Sequence, residues 1–172
     1  MCSDEGIIIR TFDKAETGPL STLNESEYTG REISDITYLD WEYRRNPEGN
    51  ALIHIAEASE RIVSQYVVLP RSFSVNGKII RGSLSVNTLT HPSFRGRGLL
   101  KILAEKTFQL CPENGIQFTI GFPNPVSHPL IRKHGLFETI GYLPLLVMPL
   151  SPVSSLLKYF SGKRNKRNIV VC

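Results

Sequence analysis

Residues 88 to 100, Thr88-Leu89-Thr90-His91-Pro92-Ser93-Phe94-Arg95-Gly96-Arg97-Gly98-Leu99-Leu100, bring a strand end, two glycines and a helix start into close succession. Lys78 to Thr90 reads as a strand that stops at His91-Pro92. From Gly98 to Cys111 the apolar residues Leu99, Leu100, Ile102, Leu103, Phe108 and Leu110 fall at helical spacing. The glycines let the backbone approach a ligand and adopt positive φ. The unpaired N–H groups of the new helix, at the positive end of its dipole, form a site for an anion, and Arg95 and Arg97 add charge. A pyrophosphate fits this chemistry. With 13 glycines in 172 residues, about one Gly-x-Gly is expected by chance, so the pattern counts only in its strand–turn–helix setting. The competing reading is a plain tight turn. A Rossmann unit would need a longer glycine pattern in a parallel βαβ unit, and a Walker loop Gly-Lys-Ser/Thr; neither is present.

Working outward, Gly6 to Thr11 reads as an opening strand. Within the polar region from Asp13 to Asn50, Ser21 or Thr22 can cap a helix, and Ile33 to Tyr43 has helical spacing. Asn46-Pro47-Glu48-Gly49 is a turn. Ala51 to Ala58, Arg61 to Leu69 and Lys78 to Thr90 follow as three strands, the last two joined around Asn76-Gly77, a dipeptide that favours a hairpin. These runs suggest an antiparallel meander. Gln117 to Gly121 is a short strand, Val126 to His134 a short helix, and Phe137 to Leu150 one long kinked strand. The order predicts an α/β (α+β) fold with a mixed sheet flanked by helices, because hairpins join antiparallel neighbours and helical crossovers join parallel ones.

The length suits one domain with a tail, and an apolar fraction of 41% with 21% charged residues is that of a soluble globular protein. The net charge of +4 suits an anionic ligand. Part of it lies in Lys163, Arg164, Lys166 and Arg167, which read as a solvated tail; nucleic-acid binding would also need a folded basic face. Cys2, Cys111 and Cys172 are odd in number and lack metal-ligand spacing, so no metal is expected. With no secretory leader after Met1 they read as free thiols in a reducing compartment, and the expectation is a cytoplasmic protein. Leu143 to Leu150 is too short to span a bilayer and holds two prolines, so no membrane partner is expected.

The stretch from Arg95 to Leu100 resembles the acetyl-CoA signature of the GNAT N-acetyltransferase superfamily: arginine or glutamine, two residues, glycine, one residue, then glycine or alanine. Arg95 and Gly98 match the first two fixed positions, while Leu100 stands where a small residue is usual. Trp41-Glu42-Tyr43, Asn46-Pro47-Glu48-Gly49, Ile55-Ala56-Glu57, Val67-Val68-Leu69-Pro70, Thr90-His91-Pro92 and Gly121-Phe122-Pro123-Asn124 look like one branch of these enzymes, some of which modify amino sugars linked to nucleotides. The resemblance covers roughly residues 5–150 and implies a GNAT-like domain there, with 151–172 a flexible basic tail. It implies acetyl-CoA as cosubstrate, held by splayed strands and by Leu89, Thr90, Arg95, Gly96, Arg97, Gly98, Leu99, Leu100 and Asn124. Carried over, the backbone contacts to pantetheine and to the acetyl carbonyl fall on Asn87, Thr88, Leu89 and Thr90. The partner it implies is a small-molecule primary amine, and a homodimer is compatible with it.

Acetyl transfer to an amine needs a deprotonated nitrogen, a polarised thioester carbonyl and a proton for the leaving thiolate. Many relatives place a glutamate on the strand before the signature, yet Gly82 to Thr90 carries no acid. Glu57 is the nearest acidic candidate for the base, with His91 behind it; the competing readings are a surface ion pair and a turn histidine. The tyrosine that the family often has in the helix after the fifth strand is missing. His128 lies one turn earlier and is able to donate a proton near neutral pH; its competing reading is local hydrogen bonding at the helix start. Asn124 has two readings, a bond to pantetheine or to an exposed strand end. Trp41 and Tyr43 sit at core-like spacing, although the family's acceptor pocket uses this region. Ser155-Leu156-Leu157-Lys158 spells a serine–lysine pattern without its companion motifs and is set aside. An active acetyltransferase, a fold-retaining acyl-CoA-binding or regulatory domain, and one half of a larger enzyme are the three functional readings.

Overall fold

A computed structural model describes residues 6–13, 17–143 and 169–171. The chain divides between Gly121 and Phe122 into two compact units. The first runs β1 (Ile8–Thr11), α1 (Thr17–Tyr28), a 3-10 turn (Glu32–Ser34), α2 (Ile36–Arg44), β2 (Leu52–Ala58), β3 (Arg61–Val75), β4 (Lys78–Thr90), a second 3-10 turn (Pro92–Phe94), α3 (Leu99–Leu110) and β5 (Thr119–Gly121). Its five strands form one sheet in the order β1-β2-β3-β4-β5, antiparallel except for the β4–β5 pair, which is parallel. This is the mixed sheet flanked by helices that the sequence predicts. The second unit holds α4 (Ser127–Lys133), β6 (Gly141–Leu143) and β7 (Ile169–Val171), with β6 and β7 paired antiparallel.

Alternation along β2 and β3 gives each face of the sheet its own cover. Ile53, Ile55, Val67 and Leu69 join Leu89 under Leu20 and Leu23 of α1 and Leu39 and Tyr43 of α2. Each of these buried aliphatic side chains contributes about 1.5–3 kcal/mol relative to exposure. On the other face His54 Nδ1 meets Thr107 Oγ1 of α3 at 3.1 Å, and Tyr66 packs edge-on against Phe108 with centroids 5.6 Å apart. Burial lowers the affinity of His54 for a proton, aided by nearby Lys106, and raises that of Cys111.

Two departures from regular pairing shape β4. Gln65 pairs with Leu89 and Val67 with Val86, so Asn87 and Thr88 together oppose Tyr66 and β4 carries one extra residue. Asn87 sits at φ 48°, in the left-handed region that asparagine tolerates better than most residues. The second departure is at the other edge. β5 pairs with β4 only at Ser83, Leu84 and Ser85. Beyond Ser85 the β5-side edge of β4 has no strand partner among the described residues.

Several local expectations give way to tertiary context. Ser21 and Thr22 do not cap a helix; they lie inside α1, where Thr22 Oγ1 donates to the Gly18 carbonyl and Ser21 Oγ to that of Ser34. The run from Ile33 to Tyr43 breaks at Asp35, whose backbone is extended and whose carboxylate accepts the Tyr38 N–H at 2.9 Å, so α2 starts afresh there. β3 continues past Leu69 through Pro70 to Val75. Its pairing with β2 ends at Val68, so the N–H that proline lacks falls on an unpaired edge. Of the long strand expected over Phe137–Leu150, only Gly141–Leu143 is strand among the described residues; 144–150 lies outside them. The Ser155–Lys158 pattern, the basic cluster at 163–167, Cys2 and Cys172 also lie outside. Trp41 is 52% exposed rather than core, tilted against Tyr38, whereas Tyr43 is 2% exposed.

Candidate functional site

The turn between β4 and α3 is built by its glycines. Gly96 and Gly98 adopt φ 79° and 74°, and a Cβ at either would meet nothing within 4 Å. The positive φ lets the chain reverse into the helix, and the open space leaves its backbone reachable by a ligand. Gly98 is the N-cap of α3, with no side chain capping it. Its carbonyl accepts from the N–H groups of Lys101 and Ile102. Among the described residues no hydrogen bond takes up the N–H of Gly98, Leu99 or Leu100. These are unpaired donors at the positive end of a three-turn helix, and an anion satisfies both features at once.

The two arginines of the turn differ in role. Arg95 Nε donates to the Thr90 carbonyl at 3.0 Å and its Nη2 lies 2.8 Å from Glu27 Oε1 of α1, tying the turn to the end of β4 and to α1. Arg97 lies over the Phe94 ring, 4.8 Å from its centroid, and no carboxylate pairs with it among the described residues. An incoming anion therefore competes with Glu27 for Arg95 but meets Arg97 without an acidic rival. Arg95→Ala should lower the melting temperature, with about 0.5–1 kcal/mol lost for an exposed pair and its backbone bond. Affinity for CoA should stay within about threefold. Calorimetry beside a melting curve checks this, and a large affinity loss with an unchanged melt would reassign Arg95 to the ligand.

The other residues singled out by sequence have identifiable partners. Glu57 on β2 is held by Arg10 of β1, with Nε and Nη2 at 2.9 and 2.6 Å from Oε2. The intervening strand β3 separates it from β4. His91 Nδ1 accepts the Ser93 N–H at 3.3 Å, and the His91 N–H donates to Val63. Leu89 is buried in the core cluster, and Thr90 Oγ1 is 2.7 Å from Ser64 Oγ. In the second unit, Asn124 Oδ1 accepts the N–H groups of Val126 and Ser127 at 2.9 and 2.8 Å, which starts α4. His128 Nε2 lies 3.0 Å from Thr139 Oγ1, and the histidine lines a hollow of about 450 Å³ with Pro129, Arg132 and Lys133.

A polar network that the sequence did not reveal converges on the extra residue of β4. Asn87 Nδ2 donates to Glu42 Oε2 at 2.7 Å and to the Tyr43 hydroxyl at 2.9 Å. Its carbonyl accepts from Gln65 Nε2 at 2.7 Å, and the same nitrogen donates to Asn24 Oδ1 at 2.9 Å. Tyr38 Oη donates to Glu42 Oε1 at 3.4 Å. Burial pushes the Glu42 carboxyl above its ordinary value, against the opposing pull of Asn87, Tyr38 and Arg71. Burial likewise raises Tyr43, with Glu42 adding to it. Among the described residues no three His, Cys, Asp or Glu side chains are grouped to hold a metal ion, and no helix is long and apolar enough to cross a membrane.

A parallel strand pair that ends before the turn opening a helix belongs to the broad class of α/β architectures in which ligands bind at the carboxyl ends of the strands. The family is narrower. Residues 23–140 match the family described as the acetyltransferase (GNAT) domain, and the chain belongs to that family. Among curated proteins compared by sequence, none matches. Several solved structures share the fold. Glucosamine-6-phosphate N-acetyltransferase from Arabidopsis thaliana superposes with a TM-score of 0.62 at 16% identity, over 86% of this chain and 100% of that one. A predicted acetyltransferase from Clostridium acetobutylicum, solved with acetyl-CoA, gives 0.64 at 18%, covering 82% and 96%. The aminoglycoside antibiotic 6'-N-acetyltransferase AAC(6')-Ih from Acinetobacter baumannii gives 0.65 at 13%, covering 85% and 100%.

Proposed function

We propose that this protein is an acetyl-CoA-dependent N-acetyltransferase that moves an acetyl group to a primary amine of a small molecule of the amino-sugar kind. One observation carries the reading: the free edge of β4 after Ser85 leads into the Gly96–Gly98 turn and the unpaired N–H groups that open α3. The cosubstrate's pyrophosphate would sit on the N–H groups of Gly98, Leu99 and Leu100, with Gly96 giving close approach and Arg97 supplying charge. Its pantetheine arm would follow β4 from Asn87 through Thr88 and Leu89 to Thr90, and Asn124 is assigned to the arm on the family resemblance alone. Family membership supports this use of the site, and neighbours described as acting on glucosamine 6-phosphate and on aminoglycosides support the acceptor class. His128 is assigned to protonating the leaving thiolate, from its place in the helix that follows β5. For the base, Glu57 and His91 would first have to leave Arg10 and Ser93.

The test is direct. Calorimetry should show acetyl-CoA binding, and release of free thiol should follow on addition of glucosamine 6-phosphate or an aminoglycoside such as sisomicin. A second reading, an acyl-CoA-binding domain without chemistry, has one observation in its favour: β4 carries no acid. Tight acetyl-CoA binding with no turnover across the amines would select it.

A further inference from the structure

The base that the strand lacks is supplied from α2: we propose that Glu42, fixed against Asn87 at the extra residue of β4, receives the acceptor's ammonium group and takes its proton. The proposal rests on the acetyltransferase reading and identifies the residue that prepares its nucleophile.

Its grounds are geometric. A general base must lie where the attacking nitrogen approaches the thioester, and that carbonyl is expected along Asn87 to Thr90. Glu42 Oε2 is 2.7 Å from Asn87 Nδ2, so the carboxylate is anchored to this segment from the α1–α2 face of the sheet. Glu57 belongs to another strand and is neutralised by Arg10, whereas among the described residues the hydrogen-bond partners of the Glu42 carboxylate are neutral: Asn87 and Tyr38. The charged and titratable groups around it are Tyr38 and Tyr43 on its own helix and Arg71 on β3; β4 contributes only the neutral Asn87. Half-buried and short of cationic partners, Glu42 suits a cation arriving from solvent. Tyr38 also lines a hollow of about 530 Å³ whose charged walls are Glu25, Glu32, Asp35 and Arg31. Carboxylates outnumber the arginine there, so the surface beside Glu42 favours an acceptor that arrives as an ammonium ion.

The step balances without a further reactant. Glu42 removes one proton from the ammonium, directly or through one water. The freed lone pair attacks the thioester carbonyl carbon, so a C–N bond forms and the C–S bond breaks. A second proton leaves nitrogen as the amide forms, and one proton is delivered to the departing sulfur. The proton held by Glu42 passes to solvent.

Glu42→Gln tests the assignment, because a glutamine oxygen still accepts from Asn87 and preserves the anchor. Acetyl-CoA affinity and the melting temperature at neutral pH should stay close to wild type. Turnover of glucosamine 6-phosphate or sisomicin should fall about 10²-fold, the lower end for loss of a general base. Two readouts separate this from a structural role. The acid limb of kcat/KM that Glu42 sets in the wild-type enzyme should be replaced in the variant by one that follows the acceptor's own ammonium ionisation. The defect should also shrink with hydroxylamine, a weakly basic acceptor already unprotonated at neutral pH. Activity of the variant within about threefold of wild type, or an unchanged acid limb, would overturn the role of Glu42 and leave the acetyltransferase reading standing. Wild-type protein that binds no acetyl-CoA, or binds it and acetylates none of these amines, would overturn that reading and the base with it.

Discussion

Gly98→Asp should reduce acetyl-CoA binding by two orders of magnitude or more, while Gly98→Asn retains most of it. Gly98 sits at φ 74° with open space where a Cβ would stand, so the backbone conformation is the only local obstacle to a side chain. Asparagine and aspartate tolerate that conformation better than other L-residues, which makes the pair a matched test of charge. The aspartate carboxylate stands at the unpaired N–H groups that open α3 and meets the pyrophosphate there. It repels the phosphates at close range, whereas the asparagine amide of the same shape carries no charge. Two lost charge-assisted hydrogen bonds, each about 1.5–3 kcal/mol, account for a loss of this size. Calorimetry on both variants, with melting curves to show that both fold, is the measurement. Equal affinities would remove the pyrophosphate from this turn.

His128→Ala should lower turnover by roughly 10²–10⁴-fold, the range for general-acid work, with CoA affinity nearly unchanged. The motive is the absence of a tyrosine from α4, Ser127–Lys133, and the place of a histidine at its start. His128 Nε2 is 3.0 Å from Thr139 Oγ1, a contact that fixes the ring and leaves the tautomer set by its neighbours. Steady-state kinetics on an acceptor identified by the panel, run below the melting temperature of the variant, distinguish the outcomes. A purely local role gives a small loss of stability and a rate within about threefold of wild type, in which case water protonates the thiolate. Paired with Glu42→Gln, the variant also separates the two proton transfers. Loss of the base should be relieved by hydroxylamine, and loss of the acid should not.

The sequence by itself determined the meander of β2, β3 and β4, the hairpin at Asn76-Gly77 and the glycine turn into α3. All of these rest on interactions between residues near one another along the chain: side-chain periodicity, left-handed backbone at glycine, and the unpaired donors every helix start must have. The Arg95–Gly98 signature was legible for the same reason. What the tertiary structure decided is which side chains the turn and the bulged strand gather. The Asn87–Glu42 bond spans 45 residues and the Glu57–Arg10 pair 47, so neither leaves a local pattern in the sequence. The extra residue that turns Asn87 toward α2 depends on the register between β3 and β4, which alternation alone does not specify to within one residue. Arg95 is readable from sequence as a phosphate ligand, but its ion pair with Glu27, brought over by α1, is not. Spacing can mark where a backbone will offer hydrogen bonds, but the occupancy of a charged side chain is settled by the partners that packing brings within about 3 Å of it.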